Sequence, residues 1–526
     1  MTREIWAADC ETDPFKAGRI PEPFIWGAYN GSTYHEFTDT EAFVDFIAER
    51  ECIVYAHNGG KFDWHFILHR LEQFEPLMVI SGRLAKFKIG EAEFRDSYNI
   101  LPMPLSAWEK DDFDYTILER EVRHTPTNWR RIQDYLRNDC KYLYQMVSEY
   151  IERYGVNLTQ AGTAMKVWQK LCQVKAPKTN AMFYDTIAPF YYGGRVECFE
   201  TGVIEHNFTV VDINSAYPYA MKHLHPYGES YNVTNQLPNS RAYIERSFIT
   251  VRCISKGAFP FRSQNGLIFP NDNQHRVYTI TGWEFNAAID TRTIIDWEII
   301  EVLTFNDSIR FDDYIDHFYN MKTEAKDNED KAGYIFAKLF LNSLYGKFGA
   351  NPDNYNEYTI VKPRYIEAAE EEGYSFCAEM GPWALCSRPL DETQTRYYNV
   401  AVAASITGFV RAYLWRAIRQ CEGVMYCDTD SIACKNTGTL EIDPTQLGAW
   451  DVEANCDHGG IAGKKLYAFH DNDANKWKTA CKGVRLSADQ IMRVASGEEV
   501  VHHPENPSFS LKRGIKFISR KITKSA

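Results

Sequence analysis

VVDINSAYPYAM, residues 210–221, is read together with GVMYCDTDSIACK, residues 423–435. The first is an apolar, β-rich run with one acid, Asp212, turned by Pro218. The second is a hairpin pattern with Asp428 and Asp430 at its tip. Acids at a turn commonly bond their own backbone, and a lone Asp-Thr-Asp needs no other account. Asp212 does, because an unpaired carboxylate in an apolar strand is costly. A shared pair of divalent cations would stabilise all three acids and make this a site for chemistry on phosphate.

Residues between these stretches suit the same chemistry. In FAKLFLNSLYGKFG, residues 336–349, Lys338, Asn342 and Tyr345 fall on one helical face. A lysine there meets a triphosphate as a point charge, and a tyrosine closes over a base pair. Tyr217, five residues beyond Asp212, is placed to crowd a 2′-hydroxyl and so select deoxyribonucleotides. Thr407 and Arg411, at i and i+4, offer a hydroxyl and a guanidinium to nucleic-acid phosphate. Lys465 and Tyr467, alternating in a strand, could hold a primer end. Each residue alone is bland, since a tyrosine on a helix is more often core than site.

A second carboxylate set opens the chain. In AADCETDPF, residues 7–15, Asp9 and Glu11 stand two apart in a strand and share a face. YAHNGGKFD, residues 55–63, adds Asp63, with Asn58 and Phe62 beside it. Tyr135 and Asp139 lie at i and i+4 of a helix. Four acids from strand, turn and helix can hold two metals about 4 Å apart, one of them making hydroxide from water that Tyr135 would orient. Hard oxygen ligands suit Mg²⁺ or Mn²⁺. An exposed strand end and an ordinary turn explain any one piece; their joint occurrence in this order favours a site.

The 526 residues allow several packed units, with 44% hydrophobic and 14% aromatic content. No signal peptide and no apolar run of membrane-spanning length are found. The 13 cysteines are scattered without a Cys-x-x-Cys pair, so neither a zinc site nor a disulfide framework is indicated, and that usage suits a reducing cytoplasm. A net charge of −13 by itself counts against nucleic-acid binding. Local charge matters more. LKRGIKFISRKITKSA, residues 511–526, has six Lys/Arg and no acid. Lys464, Lys465, Lys476, Lys478, Lys482 and Arg485 form a second basic stretch opposed only by Asp471 and Asp473. Basic runs interleaved with aromatics fit a phosphate-tracking surface; a solvated face fits either run equally well.

No internal repeat appears. Residues 1–153 alternate short strands with helices and end in a long helix closed by Gly155. Two helices are expected in 312–345 and one in 397–420. The polar stretch 350–396, with Glu370–Glu372, reads as a surface excursion.

On these residues, the chain resembles family B DNA polymerases, and specifically the protein-primed branch of bacteriophages. CETDPFKAGRIPEPFIWGAYNG, residues 10–31, followed by YAHNGGKFD, is most similar to the tectivirus type. The resemblance runs over nearly the whole chain in the family's order. It implies that Asp9, Glu11, Asp63 and Asp139 bind metal in a 3′–5′ exonuclease, with Tyr135 and, in KDDFDY, Lys110 assisting. Asn58, Phe62 and Ser97 are implied as single-strand DNA contacts, although Tyr98 stands where the family often has Leu. Tyr191, Gly193 and Gly194 match the Tyr-x-Gly-Gly element that coordinates two active sites. Asp212 and Asp430 match polymerase metal ligands, with Asp428 as third acid, and Tyr217 the sugar-selecting tyrosine. Lys338, Asn342 and Tyr345 match the nucleotide-binding fingers motif, and Lys322 a further triphosphate-side lysine. Thr407 and Arg411 match a Thr-x-x-Gly-Arg motif in part, because Val410 replaces the small residue. Lys465 and Tyr467 match the primer-stabilising Lys-x-Tyr.

The implied fold is mixed α/β (α+β): an RNase H-like exonuclease domain, 1–153, followed by a right-hand polymerase. Its parts are palm 154–224, insertion 225–311, fingers 312–349, insertion 350–396, palm 397–484 and thumb 485–526. The implied activity is protein-primed, template-directed DNA synthesis with proofreading and strand displacement. It would proceed by two-metal phosphoryl transfer with two Mg²⁺ or Mn²⁺ per site. The implied partners are template and primer DNA, dNTPs and a terminal protein, for a monomer in the cytoplasm of a bacterial host. A family B enzyme using ordinary primers, and a DNA-binding remnant without catalysis, are the alternatives.

Overall fold

The computed structural model describes residues 3–176, 178–264, 266–390 and 396–524. Part of the segment 350–396, residues 391–395, and the last two residues of the basic tail lie outside them.

The N-terminal body is built on a mixed ten-stranded sheet. Its centre is parallel: Glu4–Thr12 pairs with Cys52–Ala56, and that strand with Ala92–Asp96. Parallel strands need both faces covered. The 29-residue helix Pro126–Tyr154 covers one face. Pro126 opens it at a position where a missing N–H costs nothing, and Gly155, at φ 74°, closes it. Trp64, Phe87 and Phe94 pack on the other face. This region is richer in strand than the sequence suggested: Thr40–Ala48 is its one α-helix before Pro126 among the described residues, and the turns after Asn58 are short 3₁₀ pieces.

The segment 350–396 is a correction. Read as a surface excursion without a core, its described residues instead form strands, Asn356–Val361, Ser375–Met380 and Trp383–Pro389, around a small core of Val361, Ala369, Tyr374, Ala384 and Cys386. Asn356–Val361 pairs with Leu77–Ile80 and so extends the N-terminal sheet. The polar composition hid a strand whose last three residues, Thr359, Ile360 and Val361, are all buried.

A second sheet carries the later acids. Phe208–Ile213 lies at its centre, between Ser431–Asn436 and Trp450–Gly463. Behind it runs Val400–Ile418, buried around almost its whole circumference, as an apolar helix in a core must be. Helices Asp312–Asp327 and Lys331–Phe348 pack on this core through Phe318, Phe340 and Leu344. Strands His225–Thr234, Ser247–Ser255, His275–Thr281 and Ile294–Ile309 form a separate four-stranded antiparallel sheet.

Two local readings change. The strand ends at Ile213, and Ser215, at φ 55°, starts a short helix, Ala216–Met221, that contains Pro218; the turn precedes the proline. Lys465 is not in a strand with Tyr467. It occupies a hairpin turn at φ 56°, one residue before Leu466–Asp471.

Two candidate carboxylate sites

The N-terminal acids converge. Asp9 and Glu11 share a face of Glu4–Thr12, Asp63 begins a 3₁₀ turn and Asp139 projects from the long helix. Glu11, Asp63 and Asp139 are buried. Burial, then Asp63, Asp139 and Glu11, push the Asp9 carboxyl well above the usual range. Burial and Asp139 raise Glu11 to about 8, and burial raises Asp63 to about 7. Burial also raises Asp139, against the pull of Lys110, whose Nζ lies 3.2 Å from Asp139 Oδ2. Asp139 Oδ1 is buried with no hydrogen-bond partner. An orphaned oxygen among crowded carboxylates fits a divalent cation, because hard oxygen donors suit Mg²⁺ or Mn²⁺. Tyr135 is buried beside them, and its hydroxyl is 2.8 Å from that of Tyr115.

The expected DNA contacts around this set divide. Asn58 is exposed at φ 65°, and half-buried Phe62 packs edge-on against Phe15, Phe66 and Phe509. Ser97 is a correction: it is fully buried, its hydroxyl donating to Ala56 O and lying 3.0 Å from His57 Nδ1. Its hydroxyl holds the turn that presents Tyr98.

In the second set Asp212 and Asp430 face each other across the sheet end. Burial, Asp430 and Glu453 raise Asp212 to about 8; burial, Asp428 and Glu453 raise Asp430 to about 6. The third acid, Asp428, has Lys465 Nζ 2.8 and 2.9 Å from its two oxygens. The primer-end lysine of the sequence reading is therefore the counter-ion of the third acid. Tyr467 packs beside it on Tyr426 and Phe469.

Above these acids opens a cavity of about 540 Å³ lined by Asp212, Ser215, Tyr217, Lys322, Lys338, Asn342 and Asp430. Lys338 and Asn342 are exposed on one face of Lys331–Phe348, as their spacing required. Lys322 donates to Ser215 Oγ at 2.9 Å. Tyr217 and Tyr345 stack with ring centroids 4.2 Å apart and planes 4° from parallel. Asp451 and Glu453 also line the cavity, Asp451 directly opposite Asp212 in the ladder. Sequence reasoning missed both, although their i, i+2 spacing repeats that of Asp9 and Glu11. Among the described residues no three acids of either set have donor atoms mutually within 4.8 Å, the spread expected of repelling carboxylates.

Thr407 and Arg411 are a further correction. Both are buried. Thr407 donates to Ala404 O within its own helix. Arg411 Nε pairs with Glu284 at 2.7 Å, and its Nη1 donates to Tyr192 O and Gly193 O at 2.7 and 2.9 Å. Their hydrogen bonds run to protein groups, while Arg411 Nη2 is buried without a partner. Arg411 fixes the Tyr191–Gly194 loop, which passes beneath the Asp428–Asp430 turn: Thr429 N donates to Arg195 O. A Cβ on Gly194 would lie 2.8 Å from Thr429, so only glycine fits there. Tyr191 meanwhile packs against Gly349, at the end of the Lys331–Phe348 helix.

Raised carboxyls in both sets give a pH signature. Between about pH 4 and about pH 8 these acids hold more protons in the folded chain than in the unfolded one, so their contribution to metal-free stability falls as pH rises. A divalent cation bound at these acids would replace those protons. Mg²⁺ is expected to raise Tm more at pH 8 than at pH 6, measured by thermal unfolding; an equal or reversed effect would contradict cation binding at these acids.

Comparison with known proteins takes this geometry to a family. Residues 107–380 match DNA polymerase type B, organellar and viral. The chain belongs to this family and is a DNA-directed DNA polymerase. It is 38% identical to the DNA-directed DNA polymerase of Enterobacteria phage PRD1, over 99% of this chain and 98% of that one. The DNA polymerase of Bacillus phage Nf is 25% identical over 89% of this chain and 87% of its own. In structure the chain is similar to Phi29 DNA polymerase complexed with primer-template DNA and incoming nucleotide substrates, at TM-score 0.78 and 19% identity over 100% of both chains. The fold is accordingly the mixed α/β fold of that polymerase over the full length of the chain. Among the described residues no helix is long and apolar enough to cross a membrane.

Proposed function

We propose that the chain is a protein-primed replicative polymerase with a proofreading 3′–5′ exonuclease. The observation that carries this reading is the presence of two separate carboxylate sets in one chain, only one of which opens beneath Lys322, Lys338 and the Tyr217–Tyr345 stack. The proposed parts are exonuclease 1–153, palm 154–224 and 397–484, fingers 312–349, thumb 485–526 and two insertions, 225–311 and 350–396.

Asp212 and Asp430 would hold two divalent cations, Mg²⁺ or Mn²⁺, in the polymerase site; Asp9, Glu11, Asp63 and Asp139 would hold two in the exonuclease site. Bound there, such cations lower the pKa of an attacking hydroxyl or water and offset charge on the leaving oxygen. The chain's own residues do the rest. Lys338 and Lys322 receive the triphosphate as point charges, and Asn342 and Tyr345 present the base and sugar. Tyr217 closes off the 2′ side. Lys465 neutralises Asp428 and keeps the turn beneath the primer end in place. In the other site Lys110 and Tyr135 flank Asp139 and orient water. At initiation a hydroxyl of a terminal protein would take the primer's place. The enzyme would act as a monomer, with template, primer and dNTPs, in the cytoplasm of a bacterial host.

The test is extension of a primed single-stranded circle by this chain alone with Mg²⁺ and dNTPs. Products many circle lengths long are expected; arrest at one length would favour the ordinary-primer alternative. In the same assay Tyr217→Val should weaken discrimination against ribonucleotides roughly 10- to 200-fold, the scale of one lost pocket contact. Tyr217→Phe, which keeps the ring, should not; equal loss in both variants would place selection elsewhere.

A further inference from the structure

Away from both carboxylate sets, strands Trp450–Gly463, Leu466–Asp471 and Lys476–Cys481 lie side by side. In a regular strand Asp457 and His458 would point to opposite faces. Here the ladder slips: Cys456 pairs with Asp471 and His458 with His470, so Asp457 is the extra residue of a bulge. A bulge re-aims side chains and brings sequence neighbours together. Asp457 Oδ1 consequently lies 2.7 Å from His458 Nδ1 and 2.9 Å from His470 Nδ1. The two imidazoles stack with centroids 4.8 Å apart. Trp477, opposite His470 on the outer strand, sets its edge against both rings at 5.0 and 5.2 Å. One donor atom from each of the three residues lies within 4.8 Å of the others.

We propose that Asp457, His458 and His470 form a transition-metal site of the Zn²⁺ class that clamps the outer strands of the central sheet. The donor set decides the class. Two imidazoles and one carboxylate suit Zn²⁺, Cu²⁺ or Ni²⁺, whereas Mg²⁺ and Ca²⁺ prefer oxygen alone. Zn²⁺ accepts three protein ligands with water in a fourth position, and the side chains of Asp457 and His458, 38% and 42% exposed, leave that position open. Metal would replace the protons now shared with Asp457, and Trp477 would hold the rings in orientation. Asp457 is six residues along its strand from Asp451, about 20 Å at ~3.3 Å per residue, so the site is separate from the polymerase acids. It joins the strand pair whose far end carries Lys465 against Asp428.

The test uses the full chain, stripped by a chelator and returned to millimolar MgCl₂ so that oxygen-only sites are filled. ZnCl₂ is then titrated against a chromophoric chelator. One Zn²⁺ per chain is expected to bind despite Mg²⁺, raising Tm, and Co²⁺ in its place should give visible absorption from nitrogen ligation. His458→Ala with His470→Ala should weaken binding by more than about tenfold, since losing even an outer partner costs about that much. Asp457→Asn, nearly isosteric, guards against misfolding as the cause and should weaken Zn²⁺ while leaving metal-free Tm unchanged. No Zn²⁺ bound in excess Mg²⁺, or equal binding by wild type and both variants, overturns the proposal.

Discussion

Asp430→Asn is expected to lower nucleotide incorporation by about 100-fold or more while 3′-end trimming continues at its normal rate. Asp9→Ala combined with Glu11→Ala should give the reverse. The argument rests on separateness. Asp430 is raised by burial and by Asp428 and Glu453, all on the central sheet. Asp9 is raised by burial and by acids of the N-terminal body. The two sets stand on different sheets, Asp9 and Glu11 on the N-terminal one, Asp212 on the other with Asp430 at its hairpin. Asparagine keeps the shape of Asp430 and removes the charge that would hold a cation. Primer extension and single-strand degradation on the same preparations make the comparison; loss of both activities in either variant would mean that the sites are not independent.

Arg411→Ala should destabilise the fold by about 3–5 kcal/mol, the cost of stranding one partner of a buried pair. Arg411 and Glu284 are 2% and 1% exposed at their side chains, so solvent cannot take over either role. The loss extends further, because the carbonyls of Tyr192 and Gly193 also lose their donor. Chemical denaturation gives the number. Arg411→Lys should recover part of it, since an ammonium retains charge but cannot satisfy Glu284 and two carbonyls in one plane. A cost below about 1 kcal/mol for the alanine variant, the value typical of an exposed pair, would reject this account.

These cases also mark what could be read in the sequence. Asp9 with Glu11, and Lys338 with Asn342 and Tyr345, were legible because strand and helix periods alone place them on one face. Arg411 was misread for the same reason: spacing aligned it with Thr407, but its partner Glu284 is 127 residues away and nothing local announces it. Lys465 was misread because a positive φ interrupts the alternation that Lys-x-Tyr suggests. Asp451 and Glu453 were overlooked, since an acidic alternating strand is ordinary until another strand sets Asp212 beside it. The strands of 350–396 were hidden by their polar faces, and their pairing with Leu77–Ile80 is non-local.

That pairing has a temporal side. Thr359 donates to Glu75 O across 284 residues of chain. At about 5–20 residues per second of synthesis, the later partner leaves the ribosome roughly 14–57 s after the earlier one. Throughout that interval the strand Leu77–Ile80, four apolar residues, is an open edge of the kind that recruits other chains. The N-terminal body is thus born with an adhesive border, and the second half of the nascent polypeptide supplies the cover.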